Sequence, residues 1–216
     1  MNLPLNQVIH GDCLEVMKTF PDKSIDLVLT DPPYGMDYQS SRRTDKYDKI
    51  AGDLDLSWFP EFAKEAYRLL KDDAHIYIFC NDYALSDFRR ELERAGFQNK
   101  RTLVWVKNNH TSGDLEGDYG NKTEFVLYAH KGRRLLNGNR ETNVLEFSRV
   151  ATDLHPTQKP TELFEYLISK SSDVGGWYST RLAGVVPLAR RPFPLKGITS
   201  VSRGKKNTPM FVKKDY

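Results

Sequence analysis

Cysteine is scarce in this sequence, and both a long apolar run and a basic-then-apolar leader are lacking. Two cysteines, Cys13 and Cys80, are too few for a disulfide framework or a four-ligand zinc site, so we expect reduced core residues and no metal. No apolar run approaches the roughly 18 residues of a membrane helix, and the start MNLPLNQ does not have the order of a signal peptide. These absences favour a cytoplasmic protein that binds neither membrane nor metal.

The composition is that of a globular protein. The chain has 216 residues, of which 39% are hydrophobic and 28% charged, enough for one domain with a sizeable core. Its net charge of +3 conceals an uneven distribution. Residues 177–216 contain nine basic residues and one acidic residue, whereas residues 1–176 contain 23 basic and 28 acidic residues. The charge balance of the sequence therefore changes from acidic to strongly basic at Trp177.

Short apolar segments alternate with amphipathic ones, which predicts an α/β fold with a parallel sheet covered by helices on both faces. Strands are predicted at 8–12, 25–30, 74–80, 102–107 and 124–129. Helices are predicted after a Ser57 cap, after an Asp82 cap, and over 161–171. The polar stretches 36–49 and 108–121 follow predicted strands, where open α/β sheets place their ligand crevice, so we interpret them as active-site loops.

The sequence LTDPPYG places an acid, two prolines and an aromatic residue at the end of the apolar strand 25–30. Neither proline can donate to a strand ladder, so the strand stops there. Asp31 offers a carboxylate and Pro32 a carbonyl, and the stiff Pro32-Pro33 backbone holds the two acceptors in place. Tyr34 adds a flat face on which a base can stack. This combination suits a planar ring that carries an exocyclic amino group.

These residues resemble the AdoMet-dependent DNA amino-methyltransferases, whose signature is DPPY or SPPY. The segments WVKNN and TEFVLYAHKG are also similar to that family, and HPTQKPTELFEYLISKSS (155–172) is a second hallmark. DPPY ahead of HPTQKP implies the permuted, β-type order, in which the glycine-rich AdoMet loop comes last. The resemblance covers about 170 residues and implies a Rossmann-like methyltransferase sheet.

The resemblance implies roles for the residues at the DPPY motif. Asp31 and the Pro32 carbonyl would hold the amino group of a flipped base, Pro33 would stiffen the motif, and Tyr34 would stack on the base. The acceptor would be adenine, with cytosine as the alternative. No cysteine nucleophile is required, because the methyl group would pass directly from S-adenosyl-L-methionine to the amine.

The resemblance also implies cofactor contacts. Asp12 would touch the cofactor adenine, although it is equally a turn former, and His155 and Lys159 would lie beside the methionine end. The alternative, which the sequence leaves equally open, is that Thr157 and Pro160 merely start a helix. A further group of cations could grip DNA phosphates or form a solvated loop: Arg42, Arg43, Lys46 and Lys49.

The sequence departs from the family after HPTQKP. A DPFxGSGTT-type loop should follow, but the chain reads WYSTRLAGVVPLARRPFP. Codons for Trp177 to Tyr216, read two bases later, permit a sequence that begins VLDPFGGSGTTGEAAIPLERHYVGVE and so contains the missing loop. We therefore expect a frameshift near 176 and 177, an incomplete catalytic domain over 1–176 that lacks its central cofactor strand, and a poorly ordered basic tail over 177–216.

These observations predict a site-specific DNA adenine methyltransferase of restriction-modification type, inactive as written. The expected partner is double-stranded DNA, and a homodimer or a restriction partner stays open. One rival is a non-catalytic DNA-binding remnant, for which the tail would be a nucleic-acid arm. Another is a methyltransferase for RNA bases or protein glutamine, against which Asp31, in place of Asn, and the downstream HPTQKP both count.

Overall fold

The structure is a computed structural model that describes residues 7–32, 56–110, 116–149, 159–173, 177–182 and 185–190. The strands within these ranges are β1 (Gln7–His10), β2 (Ile25–Asp31), β3 (Leu70–Cys80), β4 (Gln98–Val106), β5 (Thr123–Lys131), β6 (Val144–Glu146), β7 (Trp177–Leu182) and β8 (Val185–Arg190). The helices are α1 (Cys13–Lys18), α2 (Phe59–Leu69), α3 (Asp82–Arg94) and α4 (Thr161–Ser171). The predicted alternation of strands and helices is confirmed from β1 to β4, whereas β4, β5 and β6 follow one another with no helix between them in the described residues.

The described strands form one mixed sheet in the order β1-β8-β7-β2-β3-β5-β4-β6. β2 runs parallel to both of its neighbours, β3 and β7. β5 runs antiparallel to β3 and to β4, which corrects the prediction of a parallel sheet. The cause is the connection between β4 and β5, which has no crossover helix in its described part, and strands joined without a crossover pair antiparallel.

The central strands are buried on both faces. Alternate residues of β3 point to opposite sides, so Ile76 and Ile78 pack with α1, α2 and α3, while Tyr77 and Phe79 pack with α4. This explains why the strands read as continuous apolar runs rather than as alternating ones. Both cysteines are buried in this core, as predicted.

The predicted helix bounds agree with the structure better than the predicted capping residues do. α4 begins at Thr161 and ends at Ser171, as predicted. α3 is capped by Asn81 rather than Asp82, because the Asn81 side chain accepts a hydrogen bond from the Ala84 N–H at 2.8 Å. At the start of α2 the N-cap position is Trp58, not Ser57, and it makes no side-chain cap hydrogen bond. None of the helices described is long and apolar enough to cross a membrane.

Two strands of the tail correct the expectation that the sheet lacks a strand beside β2. β7 lies parallel to β2, with Leu27 opposite Tyr178 and Asp31 opposite Leu182. β8 then returns antiparallel to β7 and pairs with β1, although it contains Pro187. Without a neighbour on this side, β2 would have unpaired backbone N–H and C=O groups, and the pairing with β7 satisfies them.

A buried polar cluster lies at the end of the sheet opposite to Asp31. His75 on β3 contacts the Ser171 hydroxyl through Nδ1 at 2.7 Å, and its Nε2 lies 3.0 Å from the Arg134 carbonyl oxygen. The His130 ring lies opposite His75, with 4.4 Å between the ring centroids. Burial lowers the pKa of both histidines to about 4, so both rings are neutral near pH 7.

Candidate active site

Four charged side chains converge at the edge of the sheet where β2 ends. Asp31 is the last residue of β2, and Glu124 lies at the start of β5. Because β5 runs antiparallel to β3, which is parallel to β2, the start of β5 lies at the same edge as Asp31. Lys107 follows the end of β4, and Lys159 lies just before α4. Distant parts of the chain therefore meet at one point of the sheet.

The Asp31 carboxylate has one paired oxygen and one that is available. Its Oδ2 accepts a hydrogen bond from the Lys159 ammonium at 2.8 Å. Its Oδ1 is shielded from solvent and has no hydrogen-bond partner among the described residues. A buried acceptor without a donor is costly, so such an oxygen marks a position where a ligand donor would bind.

The pKa of Asp31 is raised. Burial is the largest cause, since it penalises the charged carboxylate. Lys159 opposes that effect, and the nearby Glu124 adds to it. A carboxylate held in this way is typical of functional sites rather than of simple surface ion pairs.

Lys159 lies between two carboxylates rather than projecting into solvent. Its side chain is only 4% exposed, and its Nζ is 3.2 Å from Glu124 Oε2 in addition to its bond with Asp31. The same ammonium lies 5.6 Å from the centre of the Phe79 ring. The resemblance implied a contact between Lys159 and the cofactor; the structure places this residue against the acid of the DPPY motif, and the cofactor contact stays a prediction.

Glu124 and Lys107 are site residues that sequence reasoning missed. Lys107 Nζ lies 3.4 Å from Glu124 Oε1, and the Lys107 side chain is 9% exposed. Burial pushes the pKa of Glu124 upward, but Lys159 and Lys107 outweigh this, and the pKa falls below its usual value. The signal was available in the sequence: an acid opens the apolar strand EFVLYA, and a lysine closes the strand TLVWVK.

Asp12 lies at the same edge of the sheet but has a structural task. β1 and β2 run in the same direction, because each of the two pairings through β8 reverses the chain and β7 is parallel to β2. The Asp12 side chain accepts hydrogen bonds from the Leu14 and Glu15 N–H groups at 2.9 and 3.2 Å and so caps α1. Its proposed contact with the cofactor adenine stays a prediction.

The remaining predicted site residues have different outcomes. Pro32 is buried directly after β2, and its role as a fixed acceptor stays a prediction. Pro33, Tyr34 and His155 lie outside the described residues, and so do the loop 36–49 and the middle of the loop 108–121. The structure thus brings together Asp31 and Lys159, with Pro32 adjacent in sequence.

The comparisons with known proteins agree with this geometry. The family model for the DNA methylases of the N6 and N4 type matches residues 25–178. The chain belongs to this DNA methylase family. Its match ends within two residues of the expected change of reading frame, and it includes both the DPPY and the HPTQKP segments.

Curated proteins that are similar in sequence support the assignment to the same family. YubD of Escherichia coli K12 is 33% identical over 165 residues, which cover 76% of this chain and 69% of YubD. The DNA adenine methyltransferase YhdJ of the same strain is 26% identical over 203 residues, covering 78% of this chain and 68% of YhdJ. Across five curated relatives the chain spans between 56% and 78% of their lengths.

Solved structures share the fold. The M1.HpyAVI–SAM complex has a TM-score of 0.59 and 25% identity, covering 79% of this chain and 78% of that one. The cytosine-N4-specific PvuII DNA methyltransferase has a TM-score of 0.63 at 19% identity, covering 79% of this chain and 72% of that one, which shows the fold alone. The predicted methyltransferase fold is confirmed, and S-adenosyl-L-methionine is confirmed as the cofactor of the family.

Proposed function

We propose that the site at the end of β2 accepts the exocyclic amino group of an adenine flipped out of double-stranded DNA, for methylation on that nitrogen. The observation that carries the proposal is Asp31 Oδ1, a shielded acceptor at the sheet edge with no donor from the described residues. Its partner oxygen is already held by Lys159, so the free oxygen has a defined direction. An amino group supplies the donor that the position lacks.

The chemistry of the chain's own residues follows from this arrangement. Asp31 Oδ1 and the Pro32 carbonyl would each accept one amino hydrogen, which draws the nitrogen lone pair out of conjugation with the ring. Tyr34 would stack on the base and hold its plane, and stacking of this kind contributes roughly 1–3 kcal/mol. The acceleration would come chiefly from positioning and from fixed acceptors near the nitrogen that gains positive charge.

Bound S-adenosyl-L-methionine would supply an electrophilic methyl group on its sulfonium sulfur. The sequence after Leu182 reads AGVVPLAR and contains no glycine-rich loop, so the chain as written would not complete a site for the cofactor. We therefore propose that the protein as written is inactive and that restoring the frame near 176 and 177 restores activity. The end of the family match at residue 178 supports this proposal.

Adenine is the preferred acceptor because the motif does not have the SPPY form, which leans toward cytosine, and because the relative YhdJ is named a DNA adenine methyltransferase. Cytosine is the second candidate. The fold is shared with a cytosine-N4-specific enzyme, so the fold does not discriminate between the two bases.

The test uses two proteins, the chain as written and the frame-restored chain, after sequencing the gene across codons 170–180. Each is expressed in cells without other DNA methylases, and total DNA is digested to nucleosides for mass spectrometry. We expect N6-methyladenine from the frame-restored protein only. N4-methylcytosine would select the second base, and DNA binding without either product would identify a non-catalytic remnant.

A further inference from the structure

The four charged side chains at the sheet edge form a row in which positive and negative groups alternate. Lys107 contacts Glu124, Glu124 contacts Lys159, and Lys159 contacts Asp31, at 3.4, 3.2 and 2.8 Å. Three strand ends and the start of α4 contribute one residue each. This row of side chains is largely shielded from water, which therefore screens the charges weakly. A change of charge at one end of the row can thus influence the group at the other end.

Lys159 is shared between two carboxylates that compete for it. The Asp31 carboxylate accepts a hydrogen bond from Lys159 at 2.8 Å, whereas Glu124 Oε2 lies 3.2 Å from the ammonium, within ion-pair distance but without hydrogen-bond geometry. Lys107 approaches Glu124 from its other oxygen, Oε1, and so supplies part of the positive charge that Glu124 would otherwise draw from Lys159. Lys107 thereby favours the contact between Lys159 and Asp31 without touching Asp31.

We propose that Glu124 and Lys107 are positioning residues for Asp31: they set how the Lys159 ammonium is divided between the two carboxylates, and so hold Asp31 with Oδ2 paired and Oδ1 free. The identity of the donor to Oδ1 rests on the function proposed above. The way in which Lys159 is divided between the two carboxylates does not depend on that function, and it can be measured without methyl transfer.

Among the described residues, few other groups influence the charge of Asp31. The Cys80 thiol at the end of β3 interacts with it electrostatically, and burial raises the pKa of that thiol to about 12, so it stays neutral. Of the charged groups in the described part of the chain, Lys159 and Glu124 are those that shift the pKa of Asp31. A change in Glu124 or Lys107 should therefore be visible in how Asp31 titrates.

The experiment is a carbon-13 NMR titration of the protein as written, labelled at the aspartate side-chain carboxyls, with Asp31 assigned by loss of its signal in Asp31→Asn. Lys107→Met should raise the titration midpoint of Asp31, because Glu124 then draws Lys159 away from it. Glu124→Gln should lower the midpoint, because Lys159 then serves Asp31 alone and one negative charge is removed. Opposite shifts would show that Asp31 senses both charges, and the kinetic measurement below tests whether that influence positions it.

Two control variants match the exposure of the changed residues. Lys131→Met alters another buried lysine, 8% exposed, which donates to the Tyr67 and Leu70 carbonyls at the opposite edge of the sheet. Glu65→Gln alters another shielded carboxylate, paired with Arg68 at 2.7 Å. Neither control should move the Asp31 midpoint. Shifts of the same sign in Lys107→Met and Glu124→Gln, or shifts no larger than those of the controls, would overturn the proposal.

A second measurement separates this inference from the proposed function. In the frame-restored protein, Glu124→Gln and Lys107→Met should lower kcat roughly tenfold or more, with little change in KM for S-adenosyl-L-methionine, and should shift the acidic limb of the pH–rate profile in opposite directions. Opposite NMR shifts without any methylation by the frame-restored parent would contradict the proposed function and leave the network established. Methylation unaffected by either variant would contradict the positioning role alone.

Discussion

The Lys159 ammonium donates to Asp31 Oδ2 at 2.8 Å, although 128 positions separate the two residues in the chain. Each belongs to one of the two motifs that mark the family, DPPY and HPTQKP. The structure thus provides a physical reason for the two motifs to occur together: one supplies a buried acid, and the other supplies the cation that keeps it oriented.

Removal of the Lys159 charge should destabilise the fold. Lys159→Met would leave the Asp31 and Glu124 carboxylates without their shared cation, and breaking a buried pair from one side costs about 3 kcal/mol or more. Urea unfolding followed by circular dichroism measures the change. In the same variant the pKa of Asp31 should rise further, because the main influence that opposes burial has been removed.

Lys18→Met is the matched control for that variant. Lys18 also bridges two carboxylates, those of Glu15 and Glu61 at 3.0 and 3.1 Å, but its side chain is 48% exposed. Water screens such a pair, so its loss should change stability little. Equal losses in the two variants would show that burial does not distinguish the Lys159 bridge.

Asp31 should be required for methyl transfer but not for cofactor affinity. In the frame-restored protein, Asp31→Ala should abolish methylation of DNA and leave the affinity for S-adenosyl-L-methionine within about tenfold, roughly 1.4 kcal/mol. A radioactive methyl-transfer assay and calorimetry measure the two quantities. Near-normal turnover of the variant would remove Asp31 from the site.

Tyr34 is expected to act through its ring. Tyr34→Ala should reduce catalysis by the frame-restored protein more than Tyr34→Phe, because stacking on the base needs the aromatic face and not the hydroxyl. Steady-state kinetics with a duplex that carries the recognition sequence compare the two variants. Equal losses would point instead to a hydrogen bond from the hydroxyl.

Cofactor binding should distinguish the two reading frames. Calorimetric titration of S-adenosyl-L-methionine should give micromolar binding to the frame-restored protein and no heat of binding with the chain as written. The reason is the lack of a glycine-rich loop after β7, where the cofactor requires close approach of the backbone. Micromolar binding by the chain as written would show that β7 and β8 rebuild a cofactor site.

Stability should decline as the pH falls from 6.5 toward 4. Burial holds the pKa of His75 and His130 at about 4 in the folded chain, against an ordinary value of 6.5. Between these values the unfolded chain binds protons that the folded chain refuses, so their contribution to stability is complete above pH 6.5 and declines below it. Urea unfolding at a series of pH values follows the decline.

Two phenylalanine variants separate the histidines. His130→Phe should flatten the decline and preserve or raise stability near pH 7, because neither ring nitrogen of His130 has a hydrogen-bond partner among the described residues. His75→Phe should lower stability at every pH, since it removes the contacts to the Ser171 hydroxyl and the Arg134 carbonyl. A steeper acid decline in His130→Phe would contradict this account.

Local features of the sequence predicted much of the fold. The apolar run 25–30 ends at the prolines, so the strand had to stop at Asp31, and the bounds of α4 follow from its apolar periodicity. These properties depend on residues that are neighbours in the chain, through backbone hydrogen bonding and side-chain periodicity. The same locality explains why the DPPY and HPTQKP motifs sufficed to indicate the family.

Strand order was decided by tertiary structure. The connection between β4 and β5, which has no crossover helix in its described part, accounts for their antiparallel pairing, but nothing local indicated that β5 would lie between β3 and β4, or that β7 would fill the position beside β2. Each of these placements depends on which strand has an unsatisfied edge. That order brings Lys107 and Glu124 to the edge that carries Asp31. The sequence by itself determined which residue types are present at each strand end; only the packed sheet decided which ends meet, because charges distant in the chain interact only once the core has removed the water between them.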